Sequence, residues 1–243
     1  MLHLIGIGLS DEKDISVKGL EIVQKADKVY LESFTSTLGV SVSKLEKFYG
    51  KKVIEASRDM IENGQGKILE EAKKNNVAVL IVGDVFSATT HHTFLGEAAK
   101  AGVKVEVVYN ASILTAVGVV GLQLYKYGKV TSIPFDNSNV EEPLKVLEQN
   151  QKMGLHTLFL LDLDPLKKKY MTLHEALEFL MTKGLAKDTL CVGCARLGQK
   201  DFKIVKGKAS ELVTAKFGKP PYCLIIPGKM HFMEEEGLSL WQQ

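Results

Sequence analysis

The sequence predicts an α/β protein in two parts, and three observations predict it. Short runs rich in β-branched residues alternate with longer stretches of helical periodicity, the grammar of a largely parallel sheet covered by helices. The chain has 243 residues, a length that suits one large domain or two of about 100 to 130 residues each. Residues 109–112 separate a half that follows the pattern cleanly from one that follows it loosely. The expected domains are therefore 1–110 and 111–243.

In the first half, 2–7 reads as a buried strand, 16–26 as an amphipathic helix, 28–31 as a second strand and 53–56 as a short third one. Ile61, Ile68, Leu69 and Ala72 fall near one face of a helix over 61–75, and the unbroken apolar run 77–82 reads as a central strand. A helix over 93–100, closed by Gly102, and a β-branched strand over 103–108 complete a sheet of about five strands. The second half predicts strands over 157–161, 190–196, 202–205 and 222–226, and helices over 113–122, 141–151, 172–183 and 209–216. A mixed sheet is expected there. No short internal repeat or low-complexity segment interrupts either half.

Composition narrows the function classes. Hydrophobic residues make up 45% and charged residues 25%, as in an ordinary globular protein, and 31 basic side chains nearly balance 29 acidic ones. No overall field draws such a chain onto nucleic acid or an anionic membrane, so no direct nucleic-acid partner is expected. Lys167, Lys168 and Lys169 form a run of like charges that suits a solvated loop. Three cysteines do not make a disulfide framework, and the start lacks the regions of a secretory signal, which points to the cytoplasm. The apolar stretch 113–124 is broken by Thr115 and Gln123 and falls short of the roughly 20 residues that cross a bilayer, so no membrane partner is expected.

In open α/β sheets ligands bind beyond the carboxyl ends of the strands, and three such loops stand out. Gly6-Ile7-Gly8-Leu9-Ser10-Asp11 supplies two glycines of a dinucleotide fingerprint but puts Asp11 at the third, where a carboxylate repels phosphate. A tight turn and a ligand loop both remain open for it. In the second loop, Gly83-Asp84-Val85-Phe86-Ser87-Ala88-Thr89-Thr90-His91, Asp84 suits either a cap of the following helix or a ligand contact. The third is Asn110-Ala111-Ser112-Ile113. His91 and His92 point about 100° apart on a helix and do not chelate one metal. Cys191 and Cys194, three apart on a strand, face opposite sides as buried thiols, so no metal site is expected. Neither a G-x-S-x-G elbow nor a phosphate-binding G-x-x-x-x-G-K-[ST] loop occurs.

These loops carry a family resemblance. Met1-Leu2-His3-Leu4-Ile5-Gly6-Ile7-Gly8-Leu9, Asp14-Ile15-Ser16-Val17-Lys18-Gly19-Leu20, Val29-Tyr30-Leu31-Glu32, Gly83-Asp84, Ala88-Thr89-Thr90-His91 and Asn110-Ala111-Ser112-Ile113 follow in order in the first half. Gly121-Leu122-Gln123-Leu124-Tyr125, His156-Thr157-Leu158, Leu160-Leu161-Asp162, Cys191-Val192-Gly193, Ala195-Arg196 and Pro227-Gly228-Lys229-Met230-His231 continue it in the second. In these motifs the chain resembles the diphthine synthases, of the tetrapyrrole-methylase class of methyltransferases. The resemblance implies two α/β domains with a cofactor held in the cleft between them, and a homodimer. It also implies transfer of methyl groups from S-adenosyl-L-methionine, leaving S-adenosyl-L-homocysteine, to a modified histidine of translation elongation factor 2.

Carried over residue by residue, the implied cofactor contacts are Leu9, Asp84, Ser87, Ser112, Ile113, Leu163, Leu197 and His231. Most are small or apolar, as expected where backbone groups grip a ligand and apolar side chains enclose it. A packing role remains open for His231. The chain departs from the family at Val85, where proline is common, at Ser87, and at Leu163 and Asp164, where isoleucine and lysine are usual. Residues 134–151 also follow it poorly. Because the cofactor's sulfonium is itself activated, the resemblance implies alignment and desolvation rather than a covalent nucleophile. Asp162 and His91 are candidate helpers for the proton that the acceptor amine must lose, but no catalytic residue is assigned. The alternatives are a tetrapyrrole or ribosomal RNA methyltransferase of the same fold and a non-catalytic, cofactor-binding regulatory protein.

Overall fold

The computed structural model describes residues 1–241 apart from 33, 35, 63, 64, 88, 90, 165 and 166. The chain divides into two compact units, Met1–Leu114 and Thr115–Gln243. Ala88 and Thr90 of the second loop lie outside the described residues.

The first unit runs β1 (Leu2–Gly6), α1 (Val17–Lys25), β2 (Lys28–Glu32), α2 (Val42–Tyr49), β3 (Ile54–Ala56), α3 (Arg58–Glu62), α4 (Gln65–Lys74), β4 (Val77–Ile81), α5 (His92–Lys100), β5 (Val105–Val108) and the start of α6 (Ile113–Ala116). Its strands form one parallel sheet in the order β3-β2-β4-β1-β5. Alternate strand residues point to opposite faces, and both faces are covered. Leu2, Leu4, Val77, Val79 and Ile81 pack with Ile61, Ile68, Leu69, Phe94 and Ala98 of α3, α4 and α5. Ile5, Ile7, Ala78 and Leu80 pack with Val23, Leu45 and Tyr49 of α1 and α2. This double coverage is why β1 and β4 are apolar almost throughout. Where one helix over 61–75 is expected, α3 and α4 stand, and residues 63 and 64 between them are outside the described set.

The second unit begins with two 3₁₀ turns, Val117–Val120 and Leu124–Lys126, and continues β6 (Thr131–Ile133), α7 (Glu142–Lys152), β7 (Thr157–Leu161), β8 (Leu163–Asp164), β9 (Lys169–Tyr170), α8 (Leu173–Thr182), β10 (Leu190–Ala195), β11 (Lys203–Lys208), α9 (Ala209–Leu212), β12 (Tyr222–Ile226) and α10 (Phe232–Ser239). Its main sheet has the order β11-β10-β12-β7-β6, antiparallel except for the β6–β7 pair. The mixed sheet is thus observed. Phe159, Leu161, Cys191, Leu224 and Ile226 pack on Leu173, Ala176, Leu177 and Leu180 of α8 and on Leu212 of α9. Thr172 starts α8 with a reciprocal cap: its hydroxyl accepts from the Glu175 N–H at 3.2 Å, and the Glu175 carboxylate accepts from the Thr172 N–H at 2.7 Å.

Two expected helices are shorter. The stretch 113–122 holds only α6 and a 3₁₀ turn, because Val117, Gly118, Val119 and Val120 are poor helix formers. The stretch 209–216 holds only α9, closed by turn bonds from Thr214 Oγ1 to the Glu211 carbonyl and from the Ala215 N–H to that of Leu212. Among the described residues no helix is long and apolar enough to cross a membrane.

Candidate functional site

In the first unit, strand order alone brings the three sequence-marked loops together. β1 lies between β4 and β5, so the loops leaving the carboxyl ends of these three neighbours start side by side. The chain leaves β1 for α1 on one face of the sheet but leaves β4 for α5 on the other. Such a reversal opens a crevice at the carboxyl edge, the usual ligand position of doubly wound sheets.

Gly8 and Gly83 form an antiparallel bridge across this edge: the Gly83 N–H donates to the Gly8 carbonyl at 2.8 Å, and the Gly8 N–H to that of Gly83 at 3.2 Å. Both have positive φ, 73° and 85°. At Gly8 a side chain would strike Asp14 Cβ at 2.5 Å, whereas at Gly83 it would enter a space bounded by Leu9, Ala111 and Ser112 at 3.7 to 3.9 Å. Glycine there keeps backbone accessible between an apolar side chain and a small polar one.

Asp84 sits beside Gly83 and is engaged within its own unit. Its Oδ1 accepts from the Phe86 N–H at 3.0 Å and the Ser87 hydroxyl at 3.2 Å, and its Oδ2 accepts from the Asn110 N–H at 3.1 Å. It does not cap α5, whose N-terminal flank is His91, so that alternative is set aside. Ser112 is buried, and its hydroxyl accepts from the Leu114 N–H at 3.2 Å; Ile113 is half-buried at the start of α6. Leu9, Asp84, Ser87 and Ser112 thus belong to one connected edge of the first unit.

Sequence reasoning singled out neither Asp14 nor Asn110 individually, though both stand in the quoted motifs. Asp14 Oδ2 accepts from the N–H groups of Leu9 and Ser10 at 3.1 and 2.7 Å. The Asn110 carboxamide donates to the carbonyls of Gly6 and Asp14, both at 2.9 Å. The available signal was that Asn110 follows the strand β5 by two residues and that Asp14 lies in the loop between β1 and α1.

The other expected contacts lie in the second unit. Leu163 opens the β8–β9 hairpin, held by Asp162: one carboxylate oxygen accepts from the Leu163 N–H at 2.9 Å and the other from the Phe135 N–H at 3.0 Å. Leu197 is buried just after Arg196, whose guanidinium donates to Asp201 Oδ1 at 2.7 Å. His231 is exposed at the N-terminus of α10, where its Nδ1 faces the Met233 N–H at 3.4 Å. The Lys167–Lys169 run is exposed, with Lys167 paired to Asp164 at 3.1 Å and Lys169 over the Phe135 ring at 3.9 Å.

A second unforeseen residue group supports the Pro227–His231 motif. Glu234 is fully buried; its Oε1 accepts from the Gln123 N–H at 2.9 Å and His156 Nε2–H at 2.8 Å, and its Oε2 from the His231 N–H at 2.8 Å and the Lys126 ammonium. Burial alone would push this carboxyl up, but Lys126, the two backbone donors and His156 outweigh it and bring it to about 2. His156 is also fully buried, and its Nδ1 accepts from the Gly228 N–H at 2.9 Å. Burial holds its pKa below the ordinary value against the pull of Glu234. Three of the quoted motif segments therefore meet at one buried carboxylate.

His91 is buried, with Nδ1 near Thr89 Oγ1 at 3.0 Å and the Val85 carbonyl at 3.1 Å. Cys191 joins the core packed on α8, and burial pushes its thiol up to about 12. Cys194 faces the other way and pairs in register with Cys223 on β12. Among the described residues no group of three or more His, Cys, Asp and Glu is disposed to hold a metal.

The model of the tetrapyrrole (corrin/porphyrin) methylases matches residues 1–213. A diphthine synthase of Methanocaldococcus jannaschii is 43% identical over 98% of this chain and 98% of its own length. The diphthine methyl ester synthase of Homo sapiens is 42% identical over 99% of this chain and 95% of its own. Among solved structures, a diphthine synthase superposes with a TM-score of 0.94 at 38% identity, covering 99% and 95% of the two chains.

Proposed function

The chain belongs to the tetrapyrrole methylases and, within them, to the diphthine synthases, S-adenosylmethionine-dependent methyltransferases of diphthamide biosynthesis; on that premise we propose that the loops around Gly83 hold the cofactor. The observation that carries this reading is the convergence of Leu9, Gly83, Asp84 and Ser112 at the reversal point of the sheet. Leu9 and Ile113 offer apolar contact, and Ser87 and Ser112 offer hydroxyls. The backbone around Gly83 lies between them. Asp84 acts chiefly by fixing this backbone, since its carboxylate already takes three donors. The second unit's share of the contacts is assigned to Leu163, Leu197 and His231, the last by its exposed ring.

The bound cofactor supplies an electrophilic methyl group, so the chain's own task is to orient the acceptor and exclude water. The acceptor proposed is the amine of an amino-carboxypropyl histidine on translation elongation factor 2. That amine must lose a proton before each transfer. Asp162 already accepts from two backbone N–H groups and His91 is buried in its own loop, so the amine gives its proton to solvent before it is enclosed, rather than to either side chain. The working form proposed is a cytoplasmic homodimer. Diphthine synthase relatives across nearly the full chain disfavour a tetrapyrrole or ribosomal RNA substrate.

Intact-mass measurement of elongation factor 2 bearing the amino-carboxypropyl histidine, incubated with the chain and S-adenosylmethionine, tests the proposal and counts the methyls. The expected result is a mass gain in whole methyl steps that requires both components. No gain on a substrate that a known diphthine synthase modifies would overturn it.

A further inference from the structure

We propose that Asn110 is the positioning residue of the cofactor site, acting through Asp14 on Leu9 and through Asp84 on the second loop; this deepens the cofactor reading above and rests on it. Asn110 need not touch the ligand. One amide hydrogen of its Nδ2 goes to the Gly6 carbonyl that ends β1, and the other to the Asp14 carbonyl, both at 2.9 Å. Its Oδ1 accepts from the Ala111 N–H at 2.7 Å, and its own N–H donates to Asp84 Oδ2 at 3.1 Å.

The side chain therefore ties the first loop to the third, and the backbone N–H of the same residue ties the third to the second. The chemistry selects asparagine: two carbonyls need two donors on a single atom, and a carboxylate of the same shape has none. Asp14 relays the constraint, because its backbone is held by Asn110 while its Oδ2 holds the N–H groups of Leu9 and Ser10. Leu9 and Ser112 bound the space over Gly83, so a shift at residue 110 reaches both walls of that space. Misplacement of about 1 Å at a site of this kind typically costs up to about a hundredfold in rate.

The test is titration calorimetry of S-adenosylhomocysteine on the full chain, comparing the parent with Asn110→Asp, Asn110→Ala, Asp14→Ala, Asp14→Asn and the Asn110→Ala/Asp14→Ala pair. Each variant is measured well below its own melting temperature. Folded Asn110→Asp and Asn110→Ala should bind at least about tenfold more weakly, with Asp14→Ala close behind. Asp14→Asn, which keeps an acceptor oxygen, should recover most of what Asp14→Ala loses. The pair should lose little more than the worse single variant, because both act on one relay. A role confined to stability would lower melting temperatures, leave affinities level and show no rescue.

Folded variants of residue 110 that bind like the parent would overturn the inference. Should both fail to fold, Asp14→Ala probes the relay from its exposed end, and an unchanged affinity there overturns it as well. Failure of the parent chain itself to bind would instead bring down the cofactor reading beneath it.

Discussion

Replacing Glu234 by glutamine should unfold the second unit at lower denaturant and lower temperature, by an amount the structure allows to be worked out. The fully buried carboxylate accepts four donors, and its pKa falls from 4.5 to about 2. At 1.36 kcal/mol per pH unit this corresponds to about 3 kcal/mol of added preference for the folded state at neutral pH. Glutamine keeps the shape but turns an NH₂ toward groups that are all donors, and breaking a buried charged cluster in this way costs about 3 to 5 kcal/mol. Trp241, the single tryptophan, reports the transition: its indole donates to the Val120 carbonyl at 3.0 Å and its ring meets Phe202. Urea unfolding followed by its fluorescence at pH 7 should show the loss.

The pH dependence adds a second constraint. Glu234 has a folded pKa below its unfolded value, so its contribution is present above about 4.5 and is lost as pH falls toward about 2. His156 is held neutral by burial, and its Nδ1 accepts from the Gly228 N–H, so protonation removes that bond; its contribution fades as pH falls below about 6.5. Both slopes have the same sign. Stability of the parent should decline from about pH 6.5 downward, and its margin over Glu234→Gln should shrink between about pH 4.5 and 2. A difference below about 1 kcal/mol at pH 7, or a margin that does not shrink in acid, would refute the assignment of a buried carboxylate to this network.

Asp84→Ala releases the donors of Phe86, Ser87 and Asn110 and should weaken S-adenosylhomocysteine binding about ten- to a hundredfold, read by calorimetry; an unchanged affinity would confine Asp84 to local structure. Asp162→Asn should lower the melting temperature while leaving the pH profile of methyl transfer intact, and loss of a limb of that profile would make Asp162 a proton acceptor after all. Cys191→Ala with Cys194→Ala should keep methyl transfer with or without reductant, at a modest cost in stability from the small cavities left. An inactive but folded double variant would show that the thiols take part in the reaction.

The strands buried on both faces were legible because burial demands near-continuous apolar residues, and 2–7 and 77–82 have them. The three loops were legible for a related reason: glycine and polar residues must follow such strands where the chain turns over a sheet edge. β6 was not legible. Thr131, Ser132 and Ile133 carry no pattern of their own and become a strand only through parallel pairing with β7. The extent of β11 was likewise set by its partner, since register with β10 carries pairing on to Lys208.

At the candidate site the order of amino acids marks which loops are special and, through the family motifs, which of their residues matter. Tertiary structure decided how they are joined. That Asn110 reaches Gly6 and Asp14, 104 and 96 positions away, depends on β1 being inserted between β4 and β5. That Glu234 gathers Gln123, Lys126 and His156 likewise depends on packing within the second unit. A hydrogen bond needs its partner within about 3 Å, and for residues so far apart along the chain only the packed sheet order supplies that distance.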